Sequence, residues 1–131
     1  MSAPTITGRL ASGVGEGRHF TRLDWARERF VAGLGIDPFP GTLNLILDDP
    51  AERAKWRALR TGPGVRVDPP DPGGCGARCY PMRLAGIALA AVVPEVPGYP
   101  DDRIELIAAV GLRAALGLAD GAAVTLEVAP G

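Results

Sequence analysis

The pair of residues in this sequence with the clearest capacity for chemistry is Thr42 and Asn44. They alternate with leucines along residues 42–47, as the two faces of a β-strand do. A hydroxyl and a side-chain amide are therefore expected on the face opposite the core, directly after the sharp turn that Pro40-Gly41 predicts. Oxygen atoms held in this way suit a hard cation or a phosphate group. The same pattern also fits a strand in which Asn44 simply faces solvent.

A second candidate is the glycine-rich segment at residues 13–18. Glycines at alternate positions let the backbone turn tightly and approach a ligand closely, and successive amides in such a loop can bind an anion. A glycine-rich hairpin is the equal alternative. The segment is neither a dinucleotide fingerprint nor a Walker A loop, because Arg18 replaces the last glycine of the former and no Gly-Lys-Ser/Thr follows. The residues of this candidate loop are Gly13, Val14, Gly15, Glu16, Gly17 and Arg18.

Other reactive side chains give weaker signals. Cys75 and Cys79 are the two cysteines, and they lack the second pair or histidine cluster that a zinc site needs. We expect free thiols, with a redox pair as the less favoured alternative. His19 is the one histidine, and we expect a loop residue beside a ligand in preference to a catalytic base.

Composition limits the function classes. The 131 residues suit one domain, residues 1–131, and 47% hydrophobic residues suffice for a core. A net charge of −1 argues against a general nucleic-acid binder. The N-terminus lacks the features of a signal peptide, and the longest apolar run, Ile87 to Val93, is too short to span a bilayer. We therefore expect a cytoplasmic protein that binds neither membranes nor nucleic acid.

The elements that must position these residues are short. Eighteen glycines and 13 prolines, together with short alternating runs, favour strands over a helix bundle. Helices are expected at 23–34, 50–59 and 112–116, and a proline-rich loop at 62–78. The fold class is mainly β (α+β), a six-stranded closed barrel with two or three short helices, because closure removes exposed strand edges. The six predicted strands lie at 5–10, 42–47, 80–84, 87–93, 104–108 and 124–128.

Taken together, these stretches resemble the archaeal CTP-dependent riboflavin kinase family. The Pro-Gly-Thr-Leu-Asn run at 40–44 is the most specific match. The resemblance implies a cradle-loop β-barrel that transfers the γ-phosphate of CTP to the 5′-hydroxyl of riboflavin, giving FMN and CDP. It implies CTP and riboflavin as small-molecule partners, and we expect a monomer or small homo-oligomer. The matching segments follow the family's order and cover nearly the whole chain, at 12–17 with Phe20, 34–45, 79–81, 104–108, 112–113 and 116–121.

The resemblance also implies roles for single residues. Thr42 and Asn44 correspond to ligands of Mg²⁺, and residues 13–18 to the segment that wraps the nucleotide. Glu105 corresponds to a residue that contacts the flavin. A second nucleotide-contacting stretch consists of Val110, Gly111, Leu112 and Arg113.

These implied roles are physically consistent. Two neutral oxygens cannot neutralise Mg²⁺, so the metal is expected to arrive with the phosphates. Phosphoryl transfer needs positioning and charge stabilisation, for which Arg18 and Arg113 are the available cations. Glu105 can accept a hydrogen bond from a ribityl hydroxyl, and service as a base is the weaker alternative. Glu105 and Arg113 are therefore the candidate catalytic residues.

One position departs from the family pattern. The family has a threonine that contacts the flavin eight residues ahead of the position of Glu105, where this chain has Pro97. Proline offers neither a hydroxyl nor an N–H group. Pro97 therefore leaves open a related kinase with another small-molecule acceptor. A non-catalytic flavin or nucleotide sensor on the same barrel is a further alternative.

Overall fold

The computed structural model describes residues 4–11, 23–39, 42–70 and 76–129. This part of the chain forms a 7-stranded sheet and three helices. The elements in chain order are β1 (Thr5–Ala11), α1 (Asp24–Leu34), β2 (Leu43–Ile46), α2 (Pro50–Arg60), β3 (Val65–Val67), β4 (Ala77–Leu84), β5 (Ile87–Pro94), β6 (Arg103–Ala108), α3 (Leu112–Leu116) and β7 (Ala123–Val128).

Six of the strands close into an antiparallel barrel. Their order around the ring is β4-β5-β6-β2-β1-β7, and β7 pairs with β4 to complete it. The closing contact places Met82 opposite Val128 and Arg83 opposite Glu127. The short β3 lies outside the ring as an additional strand on β4. The prediction of a mainly β, six-stranded closed barrel with short helices is confirmed.

The β4–β5 hairpin turns through two residues. Leu84 is opposite Ile87, and the residues between them, Ala85 and Gly86, have φ angles of 49° and 80°. Two consecutive positive φ angles match the right-handed twist of the flanking strands. The hairpin predicted at these two residues is therefore confirmed.

The barrel interior is filled by aliphatic side chains. Leu43 is opposite Leu106 and Leu45 opposite Ile104 across the β2–β6 pair, and Leu47 continues the same face. All five side chains belong to the main buried cluster. The prediction that these leucines face the core is confirmed, and it fixes which side of β2 is left for Thr42 and Asn44.

A second apolar layer lies on the outside of the barrel. Ala26 and Phe30 of α1 form a buried cluster with Val92 of β5 and Ile107 of β6. This layer explains why β5 is buried on both faces from Leu89 to Pro94, as its continuous apolar sequence predicts.

The segment 62–78 differs from its prediction as a loop. It contains β3, and β4 begins at Ala77, before the predicted start at Tyr80. Val67 of β3 is fully buried and pairs with Ala77, so tertiary contacts order a stretch whose glycines and prolines indicate a loop. Residues 71–75 lie outside the described residues.

Helix α2 packs against one end of the barrel. Asp49 caps it by accepting a hydrogen bond from the Ala51 N–H at 2.9 Å, as predicted. Trp56 is buried and meets the Tyr80 ring edge-on, with ring centroids 5.9 Å apart. None of the helices in the described ranges is long and apolar enough to cross a membrane.

Candidate functional site

The register between β2 and β6 gathers the predicted site residues. The two strands are antiparallel, so the start of β2 and the end of β6 lie at the same end of the barrel. Thr42 directly precedes β2, and residues 110–113 follow β6. The Phe39 N–H donates a hydrogen bond of 2.7 Å to the carbonyl of Ala108 and holds the segment before β2 against the end of β6.

A cavity of about 260 Å³ opens at this end of the barrel. Its walls are mostly apolar. Thr42 contributes a hydroxyl group and Arg113 a guanidinium group to the lining. Thr42 thus borders the same cavity as residues 110–113, the complete predicted nucleotide-contacting stretch, although the two are distant in sequence. The lining residues are Phe39, Thr42, Leu43, Leu106, Ala108, Val110, Gly111, Leu112, Arg113 and Ala114.

Arg113 lies in the short helix α3 and forms an ion pair with Asp120. The Arg113 Nη2 to Asp120 Oδ1 distance is 2.7 Å, and the two side chains are 41% and 57% exposed. Ion pairs this exposed contribute at most about 1 kcal/mol to stability. Breaking the Arg113–Asp120 pair would therefore cost little stability.

Asn44 and Glu105 lie directly opposite each other on β2 and β6. Both side chains are on the outer face of the barrel, yet Asn44 is only 7% exposed and Glu105 is fully buried. The alternative that Asn44 simply faces solvent is wrong. Because of this register, an amide and a carboxylate lie side by side. Thr42 is two residues before Asn44 in the sequence.

Asn44 also pairs with Ala11, the last residue of β1. In the sequence, the glycine-rich segment follows Ala11 after a single serine. The strand leading into that segment therefore ends beside Asn44. Residues 13–18 themselves, with Arg18, and also His19 and Cys75, lie outside the described residues, so their predicted roles stay predictions.

Tyr99 is an additional residue near Glu105. Burial raises the pKa of the Tyr99 phenol, and the negative charge of Glu105 raises it further. The phenol therefore keeps its proton at neutral pH and remains a potential donor beside a carboxylate. Its ring lies 5.9 Å from the Arg60 guanidinium, which also lies 5.8 Å from the Trp56 ring.

Pro97 lies at the other end of β6. The loop that contains it precedes Arg103, the first residue of β6, whereas residues 110–113 follow the last one. A second cavity of about 450 Å³ opens there. The lining residues of this second cavity are Arg60, Arg78, Tyr80, Val93, Pro94, Glu95, Val96, Pro97, Gly98 and Tyr99.

The donor set for a metal consists of neutral oxygens. The described residues contain no group of three or more His, Cys, Asp or Glu side chains that could hold an ion. Thr42 and Asn44 offer a hydroxyl and an amide oxygen, and Glu105 adds a negative charge beside Asn44. Oxygen donors of this kind fit Mg²⁺ when a ligand's phosphates complete the coordination shell.

Cys79 plays no part in this site. It is a free, buried cysteine of β4, and burial raises the pKa of its thiol to about 12. The thiol stays protonated at neutral pH, and a protonated thiol is neither a nucleophile nor a metal ligand. For Cys79, the expectation of a free thiol is confirmed.

Two residues at the site were not identified by the sequence reasoning. Phe39 borders the first cavity, and a signal for it exists, since this chain has three phenylalanines and one of them stands directly before the Pro-Gly-Thr sequence. Tyr99 approaches Glu105 only through the path of the loop before β6. No sequence pattern indicates that contact.

Comparisons with known proteins identify the family of the chain. Residues 10–128 match the model of the CTP-dependent riboflavin kinase family, which carries the description "Domain of unknown function DUF120". The chain is 41% identical over 127 residues to a riboflavin kinase of Methanocella arvoryzae, covering 95% of this chain and 58% of the relative.

Two further relatives give the same result. A riboflavin kinase of Methanosarcina mazei is 40% identical over 126 residues, covering 94% of this chain and 56% of the relative. A riboflavin kinase of Pyrobaculum arsenaticum is 40% identical over 127 residues, covering 94% and 60%. The chain thus spans somewhat more than half the length of the curated relatives that it matches.

Proposed function

This chain belongs to the CTP-dependent riboflavin kinase family, and from that membership we propose that it transfers the γ-phosphate of CTP to the 5′-hydroxyl of riboflavin. The products are FMN and CDP. The observation that carries the proposal is the register of β2 against β6. It brings Thr42 to the cavity of residues 110–113 and sets Asn44 beside Glu105.

The nucleotide binds in the first cavity. Apolar walls exclude water from the base and sugar, and Arg113 leaves its exposed ion pair with Asp120 to neutralise phosphate charge. Residues 13–18 follow in sequence the strand that ends beside Asn44, and they are the segment that we expect to contact the phosphates.

Thr42 and Asn44 would hold a magnesium ion that accompanies the phosphates. The ion would supply neutralisation of the charge that develops on the transferred phosphoryl group. The protein contributes rigidity, because Asn44 is buried in the barrel wall between β1 and β6 and its amide cannot swing away.

Glu105 binds the acceptor. Its carboxylate accepts a hydrogen bond from a ribityl hydroxyl and orients the 5′-hydroxyl towards the γ-phosphate. In the transfer, the hydroxyl oxygen forms the new O–P bond, the bond to the β-phosphate oxygen breaks, and the hydroxyl proton is released. Such a reaction depends mainly on positioning and electrostatic stabilisation.

The decisive experiment is incubation of the protein with riboflavin, Mg²⁺ and CTP, followed by separation of flavins and nucleotides. We expect FMN and CDP in equal amounts, and no product when EDTA removes the metal. ATP in place of CTP tests the donor. Absence of FMN with every nucleoside triphosphate would overturn the proposal.

Variants at the metal ligands separate a role in binding from a role in folding. Thr42→Val and Asn44→Ala should abolish product formation without changing the melting curve. Thr125→Val is a matched control, because Thr125 is an exposed threonine on β7, away from the cavity. Joint loss of activity and folding would identify Thr42 and Asn44 as structural residues.

A second candidate function follows from Pro97. The side chain at this position carries no polar group and borders the second cavity together with Tyr99, whose phenol interacts with Glu105. A kinase of the same fold that phosphorylates another small alcohol would not need the flavin-contacting threonine, and this chain has proline at that position. Turnover of CTP with a panel of alcohols, but not with riboflavin, would favour this candidate.

A further inference from the structure

Phe39 is a large aromatic side chain that remains 53% exposed although its backbone is fixed. Its N–H donates a hydrogen bond of 2.7 Å to the Ala108 carbonyl, so the ring is held at the mouth of the first cavity. Val110, another half-exposed apolar residue, lines the same cavity. Two of the four exposed large apolar side chains among the described residues thus border this cavity.

The ring is seated against Gly111. A Cβ atom at position 111 would lie 3.2 Å from both Cε1 and Cζ of Phe39 and 3.6 Å from Cδ1. Gly111 has a φ of −73°, which any residue adopts. The backbone therefore does not require glycine here, whereas an added Cβ would push the Phe39 ring away by a few tenths of an ångström.

We propose that Phe39 is the platform on which the pyrimidine base of the nucleotide stacks, and that Gly111 is the positioning residue that seats the ring. The inference rests on the proposed function and deepens it by assigning the base subsite. One side of the ring packs against the backbone at Gly111, and its exposed surface faces the cavity that Thr42 and Arg113 also line. Aromatic side chains bind bases in this way because every base has a π-face.

The size of the cavity favours a base over a flavin. Its volume of about 260 Å³ lies below the roughly 300 to 1,000 Å³ usual for pockets that bind drug-sized ligands. A single pyrimidine ring suits that space better than the three fused rings of isoalloxazine. The phosphate-binding groups, Thr42 and Arg113, border the same cavity, as a nucleotide requires.

The test compares a ligand that has a base with one that lacks it. Dissociation constants of Mg·CTP and of Mg·tripolyphosphate are measured by calorimetry for the wild type, Phe39→Leu and Phe39→Tyr. Leucine keeps apolar bulk but removes the π-face, so Phe39→Leu should weaken CTP binding about 5- to 100-fold. Tripolyphosphate binding should change less than about twofold, and Phe39→Tyr should bind both ligands like the wild type.

Three results would overturn the inference. They are unchanged CTP binding by Phe39→Leu, an equal loss for CTP and tripolyphosphate, and no binding of Mg·CTP by the wild type. A parallel titration with riboflavin distinguishes the two planar ligands, since a loss for riboflavin alone would assign the ring to the flavin. Because the readout is binding, failure to form FMN would refute the transfer reaction without changing these results.

Gly111 is tested through its coupling to Phe39. Gly111→Ala should displace the ring and weaken CTP but not tripolyphosphate binding. In a Phe39→Leu background the same change should have a much smaller effect, because there is no ring to displace, and the two effects should be non-additive. Additive losses would show that Gly111 acts independently of the ring. A urea titration of each variant identifies any that fails to fold. If Gly111→Ala fails to fold, the comparison of Phe39→Leu and Phe39→Tyr with the wild type still decides the inference.

Discussion

Asn44 and Glu105 face each other across the β2–β6 pair, and the two polar side chains are buried together in the barrel wall. Directly opposite residues of an antiparallel pair have Cβ atoms about 4.5 to 5.5 Å apart. The proposed metal ligand and the proposed acceptor-binding carboxylate are therefore held within one residue pair. The rigidity of a closed barrel, which has no free edge at this point, sets that separation.

The first prediction concerns Glu105→Gln. The variant keeps the shape of the side chain and removes its charge, so it should fold normally. A hydrogen bond to a charged group contributes about 1.5 to 3 kcal/mol, and kcat/KM for riboflavin should fall roughly 10- to 100-fold, mainly through KM. Glu127→Gln on β7 is the matched control, since Glu127 is exposed. Steady-state kinetics with varied riboflavin gives the result, and an unchanged kcat/KM would exclude Glu105 from acceptor binding.

The second prediction concerns the ion pair of Arg113 and Asp120. Asp120→Ala removes a carboxylate that competes with phosphate for the Arg113 guanidinium, so it should tighten Mg·CTP binding by up to about fivefold, because an exposed pair is worth at most about 1 kcal/mol. Arg113→Ala should instead weaken binding about tenfold or more.

A matched control for this pair exists on α1. Arg27 and Asp37 form a similarly exposed ion pair with an N to O distance of 3.0 Å, and neither residue borders the first cavity. Asp37→Ala should leave the dissociation constant of Mg·CTP unchanged. If Asp120→Ala weakened binding, Asp120 would be orienting Arg113 and not competing for it.

Local patterns in the sequence predict much of the barrel but not the composition of its site. Alternation fixes the faces of β2, and the Ala85-Gly86 turn fixes the hairpin, because both depend on neighbouring residues. The pairing of Asn44 with Glu105 depends on strand register between distant segments, which no local pattern contains. Tyr99 reaches Glu105 through a loop whose path tertiary packing determines.

The family resemblance supplies what local patterns do not. It groups Thr42 with residues 110–113, which the structure brings to one cavity. It does not predict that Phe39 rests on Gly111. That contact becomes visible only when the φ angle at Gly111 shows that the backbone would accept other residues.

The third prediction tests why β3 forms in a segment that reads as a loop. Gly64, just before β3, has a φ of 58°, and a Cβ there would lie 2.8 Å from the Cys79 carbonyl oxygen. Gly64→Ala should lower the free energy of unfolding by about 3 kcal/mol, from backbone strain plus the clash. Gly35→Ala is the matched control, with a φ of 70° and no atom within 4 Å of its Cβ, and should lose only about 1 kcal/mol. Equal losses in urea titrations would mean that the approach of Gly64 to β4 is unimportant.

The fourth prediction concerns the buried thiol of Cys79 and alkaline pH. Burial raises the pKa of this thiol from its ordinary value of 9.0 to about 12. Between these values the unfolded chain releases a proton that the folded protein keeps, so the unfolded state binds fewer protons and stability falls as pH rises. Below pH 9 the protonated Cys79 thiol makes its full contribution to the free energy of unfolding. Above pH 9 this contribution falls by up to about 1.4 kcal/mol per pH unit.

The measurement compares Cys79→Ala with the wild type, both in a Cys75→Ser background, by urea titration between pH 8 and 10.5. Loss of packing should lower the stability of Cys79→Ala at every pH, whereas its decline above pH 9 should be shallower than that of the parent. Tyr99, whose pKa is also raised by burial, is present in both proteins and cancels in the difference. Parallel curves would show that the Cys79 thiol ionises as readily in the folded barrel as in the unfolded chain, and that β4 and β5 leave it in contact with water.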